Sequence, residues 1–345
     1  MGTDTLDTDS GGMRHKRDAT ASVTVDFGDA EAPMLSTESG LEESTCTLEY
    51  LNEGGANFVF RILQNESGPL PASLQGRLLR LRKNLPHVQD AASQLKAYEQ
   101  NFKSLFPAEN LVHHELINLD ISLPLVLNSA LSRLARPSHR AQEFLPEDEQ
   151  YGMLVTDMTP GFSETLLQLK PKWLTQSPNA PPDSVRCRTC ALRAQRASRQ
   201  IRTATDQQES CPLELISSSS ENRRRAASRF TDNKHCIDFL VNDAQALLAT
   251  LRAQQLVLDK NGVLEASKAE TIYDVCRAMT LRDCTLFIKR SEKHVEARLG
   301  DLDLKQPQKL AKWQEMERSL INDGWYMNTE ATKHWTKEAT CLLSR

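Results

Sequence analysis

The sequence predicts an α+β protein whose first part is rich in strands and whose second part is mainly helical. β-type segments flank a glycine-containing turn at residues 53–57, and further β-rich segments follow before residue 170. Beyond residue 235, apolar residues recur with helical spacing in three long segments. Hydrophobic residues make up 39% of the chain and charged residues 26%, which is typical of a folded globular protein.

Charge and composition divide the chain into three regions. Residues 1–45 are rich in Asp, Glu, Ser and Thr with no apolar period, which predicts a disordered acidic leader. Residues 46–156 are predicted to form a smaller N-lobe that carries the glycine turn. Residues 157–345 are predicted to form a larger C-lobe, with a flexible insert at 203–230 where Ser, Gln and Arg dominate.

The N-lobe elements follow from local composition. Aromatic and β-branched residues on either side of the glycine turn predict strands at 47–51 and 58–63. The Leu and Arg residues at 77–83 predict a third strand. Residues 88–102 have helical composition, and 151–156 resemble another strand.

The C-lobe elements begin with a predicted strand at 165–170. A helix is predicted at 239–258, because its leucines share one face and Gly262 follows as a stop signal. A second helix is predicted from the spacing of the apolar residues Ile272, Val275, Cys276 and Met279. Short strands at 285–288 and 295–299 are predicted next, and a last helix carries Trp313, Met316, Leu320 and Ile321.

The turn Gly54-Gly55-Ala56-Asn57 lies between two strands. A dinucleotide-binding fingerprint requires a helix after the glycines, and a Walker loop requires Gly-Lys-Ser/Thr, so neither fits. A glycine pair in a hairpin brings backbone N–H groups close to nucleotide phosphates in protein kinases. An ordinary tight turn has the same composition, so both interpretations stay open.

Lys170 and Lys172 flank a proline at the end of a predicted strand. Two ammonium groups projecting from one rigid point suit a phosphate ligand. The alternative is a solvated loop that carries two surface lysines.

Three aspartates complete a possible phosphoryl-transfer site. Asp283 follows a helix and precedes a strand, which is the position of a catalytic base in kinases. Asp301 and Asp303 follow the next strand, and their carboxylates suit Mg²⁺. Each aspartate alone has the simpler interpretation of a cap or turn residue.

Six arginines and no acid occur at residues 186–202. They indicate either an exposed basic face or a pocket for an anionic ligand. An arginine-rich nucleic-acid-binding protein is one alternative function, but residues 186–229 contain no aromatic residue for base stacking.

Cysteines raise the question of a structural zinc ion. Cys187, Cys190 and Cys211 are candidate ligands, with His235 or Cys236 as the fourth. The alternative is that these cysteines make ordinary contacts in a reduced protein.

Taken together, these motifs resemble the inositol-pentakisphosphate 2-kinases, and the likeness runs in family order from about residue 47 to residue 327. The matching stretches are Glu53-Gly54-Gly55-Ala56-Asn57, Leu79-Arg80-Leu81-Arg82-Lys83, Leu169-Lys170-Pro171-Lys172, Arg282-Asp283-Cys284-Thr285 and Asp301-Leu302-Asp303-Leu304-Lys305. The resemblance implies a two-lobed inositol phosphate kinase fold distantly similar to protein kinases. It also implies transfer of the ATP γ-phosphate to the 2-hydroxyl of inositol 1,3,4,5,6-pentakisphosphate, with Mg²⁺, to give inositol hexakisphosphate.

The resemblance also assigns roles to residues of this chain. Lys170 would contact the transferring phosphate, Asp283 would be the base, and Asp301 with Asp303 would bind Mg²⁺. The residues that would bind ATP are Gly54, Gly55, Ala56, Asn57 and Arg80, with Asp157, Met158 and Thr159 as the adenine hinge. The residues that would bind substrate are Lys172, Arg188, Arg196, Lys305, Lys309 and either Arg136 or Arg140.

Two positions depart from the family pattern. Gln168 replaces an acid, and Leu192 stands where many relatives have a substrate-binding His. They keep open the alternative of a catalytically weak, kinase-like scaffold. We expect a monomeric intracellular protein, nuclear or cytoplasmic, with no membrane or nucleic-acid partner.

Overall fold

The structure is a computed structural model, and it describes residues 34–37, 44–64, 69–199, 210–292, 294–327, 329 and 341–344. These residues divide into two compact units. The strand-rich unit contains residues 34–100 and 112–157, and the helical unit contains residues 101–111 and 158–344. The predicted α+β class is confirmed, whereas the likeness to protein kinases stays a prediction.

A seven-stranded antiparallel sheet of order β2-β1-β6-β7-β5-β4-β3 dominates the strand-rich unit. Its strands are β1 (Met34–Thr37), β2 (Ser44–Thr45), β3 (Thr47–Glu53), β4 (Asn57–Leu63), β5 (Arg77–Arg82), β6 (His114–Leu119) and β7 (Tyr151–Thr156). The helices α1 (Ala91–Asn101) and α2 (Leu123–Leu131) interrupt them in sequence. Phe58, Phe60 and Ile62 alternate along β4 and are buried, because successive side chains of a strand point to opposite faces.

The helical unit contains a three-stranded antiparallel sheet of order β10-β9-β8, formed by β8 (Thr165–Leu169), β9 (Thr285–Arg290) and β10 (Val295–Gly300). Its helices are α3 (Arg188–Ser198), α4 (Pro212–Leu215), α5 (Ser220–Ala227), α6 (Lys234–Val241), α7 (Gln245–Leu258), α8 (Ala269–Leu281) and α9 (Leu310–Asn322). Helices α7 and α8 pack against each other. Among the described residues, no helix combines the length and the apolar character that crossing a bilayer requires.

The helix predicted at 239–258 is two helices in the structure. Helix α6 ends where Asn242 turns back and donates its side-chain Nδ2–H to the carbonyl oxygen of Asp238 at 3.0 Å. Such local side-chain hydrogen bonds compete with the backbone hydrogen bonds of a helix, so α6 ends before α7 begins.

Two predictions of disorder are wrong where the structure can test them. The predicted insert at 203–230 contains α4 and α5 from residue 212 to residue 227, while residues 203–209 lie outside the described residues. The predicted leader at 1–45 includes strands β1 and β2, and its other residues lie outside the described residues. Pairing of β1 with β6 explains the error, because that partner is distant in sequence.

Candidate active site

The three-stranded sheet brings the predicted catalytic residues to one edge. Leu169, at the end of β8, pairs with Leu286 near the start of β9. Thr285, the first residue of β9, pairs with Gly300 at the end of β10. Because both pairings are antiparallel, the residues after β8, before β9 and after β10 leave the sheet at the same edge. These residues include Lys170, Asp283 and Asp301.

Three lysines surround the carboxylate of Asp283. The Nζ atom of Lys305 lies 2.7 Å from Asp283 Oδ2. The Nζ atoms of Lys172 and Lys170 lie 3.2 and 3.4 Å from Asp283 Oδ1. Lys170 also donates to the backbone carbonyl oxygen of Asp283 at 3.1 Å. One carboxylate thus faces three ammonium groups, and the excess positive charge suits an anionic ligand.

The close contact of these charged groups shifts the pKa values of Asp283 and Lys172. Burial opposes ionisation of Asp283, but Lys305, Lys172 and Lys170 outweigh it and hold the pKa of its carboxyl well below the usual range. Burial also lowers the pKa of Lys172, and the charges of Lys170 and Lys305 lower it further against the opposing effect of Asp283. Asp283 is therefore an ionised carboxylate at neutral pH.

Gln255 holds the loop that carries Lys172. Its buried side chain accepts the backbone N–H of Leu174 at 3.0 Å and donates to the carbonyl oxygen of Lys172 at 3.0 Å. It also donates to the carbonyl oxygen of Leu281 at 3.4 Å, at the end of α8. Lys172 has a left-handed backbone with φ of 61°, which costs free energy and needs such support. Gln255 was not predicted from the sequence; its only signal is a polar residue on the buried, otherwise apolar face of α7.

Asp301 also has a left-handed backbone, with φ of 56°. Its Oδ2 atom accepts a hydrogen bond from the hydroxyl of Thr285, which fixes the carboxylate beside the start of β9. The buried hydroxyl of Thr280 accepts the backbone N–H of Lys305 at 2.9 Å and lies 3.3 Å from the carbonyl oxygen of Asp303. Segment 301–305 is therefore anchored at both ends.

Two arginine side chains pack against the ring of Trp173. The guanidinium carbon of Arg282 is 3.5 Å from the centre of the ring, and that of Arg188 is 4.4 Å from it. Arg282 is fully buried and pairs with Asp259 at 2.6 Å. Its Nε and Nη2 atoms have no hydrogen-bond partner among the described residues, so the face of Trp173 adds a cation–π contact to the attraction of Asp259 and Glu317.

Glu317 connects α9 to α3. Its carboxylate accepts Arg188 Nε at 3.0 Å and the hydroxyl of Tyr326 at 2.6 Å. Burial and the charge of Glu317 raise the pKa of Tyr326 far above its usual value, so the phenol stays a donor. Glu317 and Tyr326 thus support helix α3, which carries Arg188 and Arg196.

The glycine turn lies in the strand-rich unit and closes the β3–β4 hairpin. Gly54 donates its N–H to the carbonyl oxygen of Asn57 at 2.8 Å. When the Asn57 amide is oriented with its oxygen towards Arg80, this oxygen accepts from Arg80 Nη2 at 2.5 Å and from Arg80 Nε at 3.2 Å. Gly54 and Gly55 are exposed, and a Cβ atom at either position would meet no atom within 4 Å. The turn therefore leaves room for a ligand next to its backbone.

Comparison with known proteins agrees with this geometry. A sequence profile described as inositol-pentakisphosphate 2-kinase matches residues 50–243 and 242–319. The chain belongs to the inositol-pentakisphosphate 2-kinase family. An inositol-pentakisphosphate 2-kinase of Yarrowia lipolytica (strain CLIB 122 / E 150) is 28% identical over 302 residues, which cover 80% of this chain and 91% of that protein. The resemblance found in the sequence motifs is confirmed, and with it the kinase class of this chain.

Arg136, one of the two arginines predicted as alternatives for a further substrate contact, has a buried side chain with protein partners, and its substrate role stays a prediction. The Arg136 side chain is only 1% exposed, and its Nε and Nη2 atoms bind both carboxylate oxygens of Glu53 at 2.9 and 3.0 Å. Its remaining donors bind backbone carbonyl oxygens, including that of Glu143 at 2.8 Å. Glu53 also pairs with Lys83 at 2.6 Å, so Arg136 belongs to a buried ion network beneath the glycine turn.

The structure places the other predicted substrate and hinge residues without testing their roles. Arg140 is half-buried and donates to the carbonyl oxygen of Glu53 at 2.9 Å. Arg196 is half-buried in the last turn of α3, and Lys309 lies within electrostatic range of Lys305 and Asp283. The roles of these residues, of Arg188 and of the hinge residues Asp157, Met158 and Thr159 stay predictions.

The arginines at the start of 186–202 do not form an exposed basic face. Arg186 is buried and donates to the carbonyl oxygens of Trp325 and Met327 at 3.1 and 2.8 Å. Arg188 is buried in its pair with Glu317. Both therefore stabilise the fold of the helical unit, which argues against a nucleic-acid surface there.

The expected fourth partner of the cysteine set is wrong. The Sγ atoms of Cys187, Cys190 and Cys211 lie together as predicted, but the fourth sulfur in the group belongs to Cys341. His235 and Cys236 are at the start of α6 and outside the group. Sequence spacing gave no signal for Cys341, because 130 residues separate it from Cys211.

Proposed function

We propose that this chain transfers the γ-phosphate of ATP to the 2-hydroxyl of inositol 1,3,4,5,6-pentakisphosphate, which gives inositol hexakisphosphate. The observation that supports this most is the convergence of Lys170, Lys172 and Lys305 on Asp283. A carboxylate within an excess of ammonium groups combines a base with a binding site for a densely phosphorylated ring.

In the proposed reaction, the oxygen of the 2-hydroxyl attacks the γ-phosphorus of ATP. The bond between that phosphorus and the β–γ bridging oxygen breaks, and ADP leaves. The hydroxyl proton passes to the Asp283 carboxylate, which is ionised in the free enzyme because the neighbouring lysines hold its pKa low. Lys170 would stabilise charge on the transferring phosphoryl group, while Lys172 and Lys305 would hold phosphates of the inositol ring.

Binding of substrate phosphates would also alter Asp283. Each lysine that turns to a phosphate weakens its pair with the carboxylate, and the charge of the phosphate acts in the same direction. Both effects raise the pKa of Asp283 towards the range of a useful base. The lysines would thus keep the carboxylate ionised in the free enzyme, and their turn towards the phosphates would make it more basic in the substrate complex.

The residues at the end of β10 fit a magnesium ion. Asp301 and Asp303 offer oxygen ligands, and Thr285 orients the Asp301 carboxylate. Mg²⁺ bound there would neutralise charge on the β- and γ-phosphates. In the strand-rich unit, Gly54 and Gly55 have the open space that nucleotide phosphates need close to the backbone.

We further propose that the chain acts as a monomer in the nucleus or cytoplasm. All eight cysteines lie in the described residues, and all are free thiols. Free thiols support a reducing compartment, because disulfides persist mainly in oxidising ones.

Direct assay tests the proposed reaction. Purified protein is incubated with ATP, Mg²⁺ and inositol pentakisphosphate, and the inositol phosphates are separated by ion-exchange chromatography. We expect inositol hexakisphosphate to form, and Asp301→Asn to abolish its formation while leaving the melting temperature close to that of the parent. Hydrolysis of ATP without hexakisphosphate would refute the assigned acceptor. Full activity of Asp301→Asn would refute the metal site.

A further inference from the structure

The carboxylate of Glu53, the last residue of β3, is enclosed by cationic groups directly before the glycine turn. Lys83 Nζ lies 2.6 Å from Oε2, and Arg136 donates its Nε and Nη2 hydrogens to the two oxygens at 2.9 and 3.0 Å. The hydroxyl of Tyr50 donates to Oε1 at 3.2 Å. The Glu53 side chain is only 2% exposed. Both of its oxygens therefore bind protein groups, and neither faces a ligand.

The glycine turn has no side-chain packing of its own. Gly54 and Gly55 are exposed, and glycine backbone is the most flexible of all residue types. The strand before them gives limited support, because β3 pairs only with β4 among the described strands, and the register of that pairing shifts between Tyr50 and Asn52. The direction of the glycine N–H groups is therefore set by the residues on either side of the turn.

Those flanking residues are held from both sides of the turn. On the β3 side, Arg140 donates to the backbone carbonyl oxygen of Glu53 at 2.9 Å. On the β4 side, the backbone N–H of Lys83 donates to the carbonyl oxygen of Ala56 at 2.8 Å. Lys83 thus holds the turn twice, through its backbone at Ala56 and through its side chain at Glu53. The peptide groups before and after the two glycines are both fixed.

The ion network of Glu53, Lys83, Arg136 and Glu143 is balanced in charge, with two acids and two cations. Lys83 pairs with both acids, and Lys83 and Arg136 each lie 5.0 Å from the ring centre of Phe58. Apolar residues of similar volume often stabilise a fold as well as a buried ion pair or better. Charge-assisted hydrogen bonds add a fixed geometry, which apolar contacts do not supply. The network therefore suits the task of positioning the turn.

We infer that Glu53 is a positioning residue for ATP, whose ion pairs with Lys83 and Arg136 hold the N–H groups of Gly54 and Gly55 towards the nucleotide phosphates. The inference rests on the proposed function, because it takes the glycine turn as the phosphate site. Glu53 itself touches neither ATP nor the inositol phosphate. Its loss should therefore weaken the binding of the phosphates of ATP and leave the binding of adenosine unchanged.

Calorimetric titration of the full chain with ATP and with adenosine, each with Mg²⁺, tests the inference in Glu53→Gln. We expect this variant to bind ATP about ten- to hundredfold more weakly, the range for losing a hydrogen bond to a charged group. The affinity for adenosine should not change. In the product assay, KM should rise for ATP and stay constant for inositol pentakisphosphate.

Two further variants complete the experiment. Glu49→Gln is the matched control, because Glu49 pairs with Arg61 at 2.9 Å on the same hairpin and away from the turn, and it should change none of these quantities. The double variant Glu53→Gln with Lys83→Met covers failure of the single variant to fold. It removes one charge of each sign, so its melting temperature should stay close to that of the parent. It should show the same selective loss of ATP affinity.

Parental affinity for ATP in either folded Glu53 variant would overturn the inference. Equal losses of ATP and adenosine affinity, or unfolding of the charge-balanced double variant, would show that the network only maintains the fold and would overturn it as well. Parent protein that binds ATP no better than adenosine would refute the phosphate site at the turn and, with it, this inference. Parent protein that shows the expected selective loss in Glu53→Gln but forms no inositol hexakisphosphate would support the inference and refute the proposed reaction.

Discussion

Replacing Asp283 with Asn should separate catalysis from substrate binding. The substitution preserves the size of the side chain but removes the charge that faces Lys170, Lys172 and Lys305. Loss of a general base lowers turnover by about 10²- to 10⁴-fold. That loss corresponds to roughly 2.7–5.4 kcal/mol of transition-state stabilisation, at about 1.36 kcal/mol for each factor of ten.

Substrate binding should respond in the opposite direction. The Asp283 side chain is 38% exposed, so each of its three lysine pairs contributes only about 0–1 kcal/mol. In the Asn variant the lysines no longer divide their charge between a carboxylate and the phosphates of the substrate. We therefore expect inositol pentakisphosphate to bind about 3- to 10-fold more tightly, at about 1.4 kcal/mol for each factor of ten.

Two assays measure these effects. Steady-state formation of inositol hexakisphosphate gives turnover, and isothermal titration calorimetry without ATP gives substrate affinity. Asp238→Asn is the matched control, because Asp238 pairs with Arg224 at 2.7 Å on an exposed surface and should change neither quantity. Turnover near that of the parent would remove Asp283 from the mechanism. A parallel loss of turnover and affinity would show that the carboxylate only maintains the shape of the site.

Three further predictions concern the groups around this site. Burial lowers the pKa of Lys172, so rising pH removes the charge of Lys172 earlier than that of an ordinary lysine. In Lys172→Arg, the fall of kcat/KM at alkaline pH should therefore move to higher pH. A fall at the same pH as in the parent would contradict the role of Lys172 in substrate binding. Gln255→Leu should raise KM for inositol pentakisphosphate about tenfold, since a lost buried hydrogen bond costs about 1–3 kcal/mol. The KM for ATP should not change. An equal rise in both constants would indicate that the substitution destabilises the whole helical unit instead of the Lys172 loop. Asp259→Ala leaves Arg282 buried without its partner and should lower the free energy of unfolding in urea by about 3–5 kcal/mol, whereas Asp238→Ala in an exposed pair should lower it by less than about 1 kcal/mol.

The sequence predicted those parts of the site that depend on local pattern. Asp283 and Asp301 were placed correctly relative to β9 and β10, because short apolar segments and their flanking acids are adjacent in the chain. Their side-chain partners were not predictable. Thr285 orients Asp301, and Gln255 holds the loop of Lys172. Both residues act through contacts that only the folded chain forms.

Contacts between residues that are distant in the sequence were not predicted. Arg136 was one of two arginines that the family resemblance offered as a substrate contact, and its ion-pair partner Glu53, 83 residues away, was not foreseen. The strand β6 and the helix α2 were not predicted, and β6 is the strand that pairs with β1. The fourth cysteine of the group was missed because Cys341 is 154 residues from Cys187.

Lys172 and Asp301 are the non-glycine residues with a left-handed backbone in the described part of the chain, and both are proposed to act in the reaction. Such a conformation costs on the order of 1 kcal/mol, and glycine adopts it without strain. A library of this chain selected only for thermal stability would therefore favour glycine at both positions. The most stable variants recovered would have lost a phosphate-binding lysine and a metal-binding aspartate. Laboratory evolution for stability would thus drive this enzyme towards an inactive protein unless these two positions were held fixed.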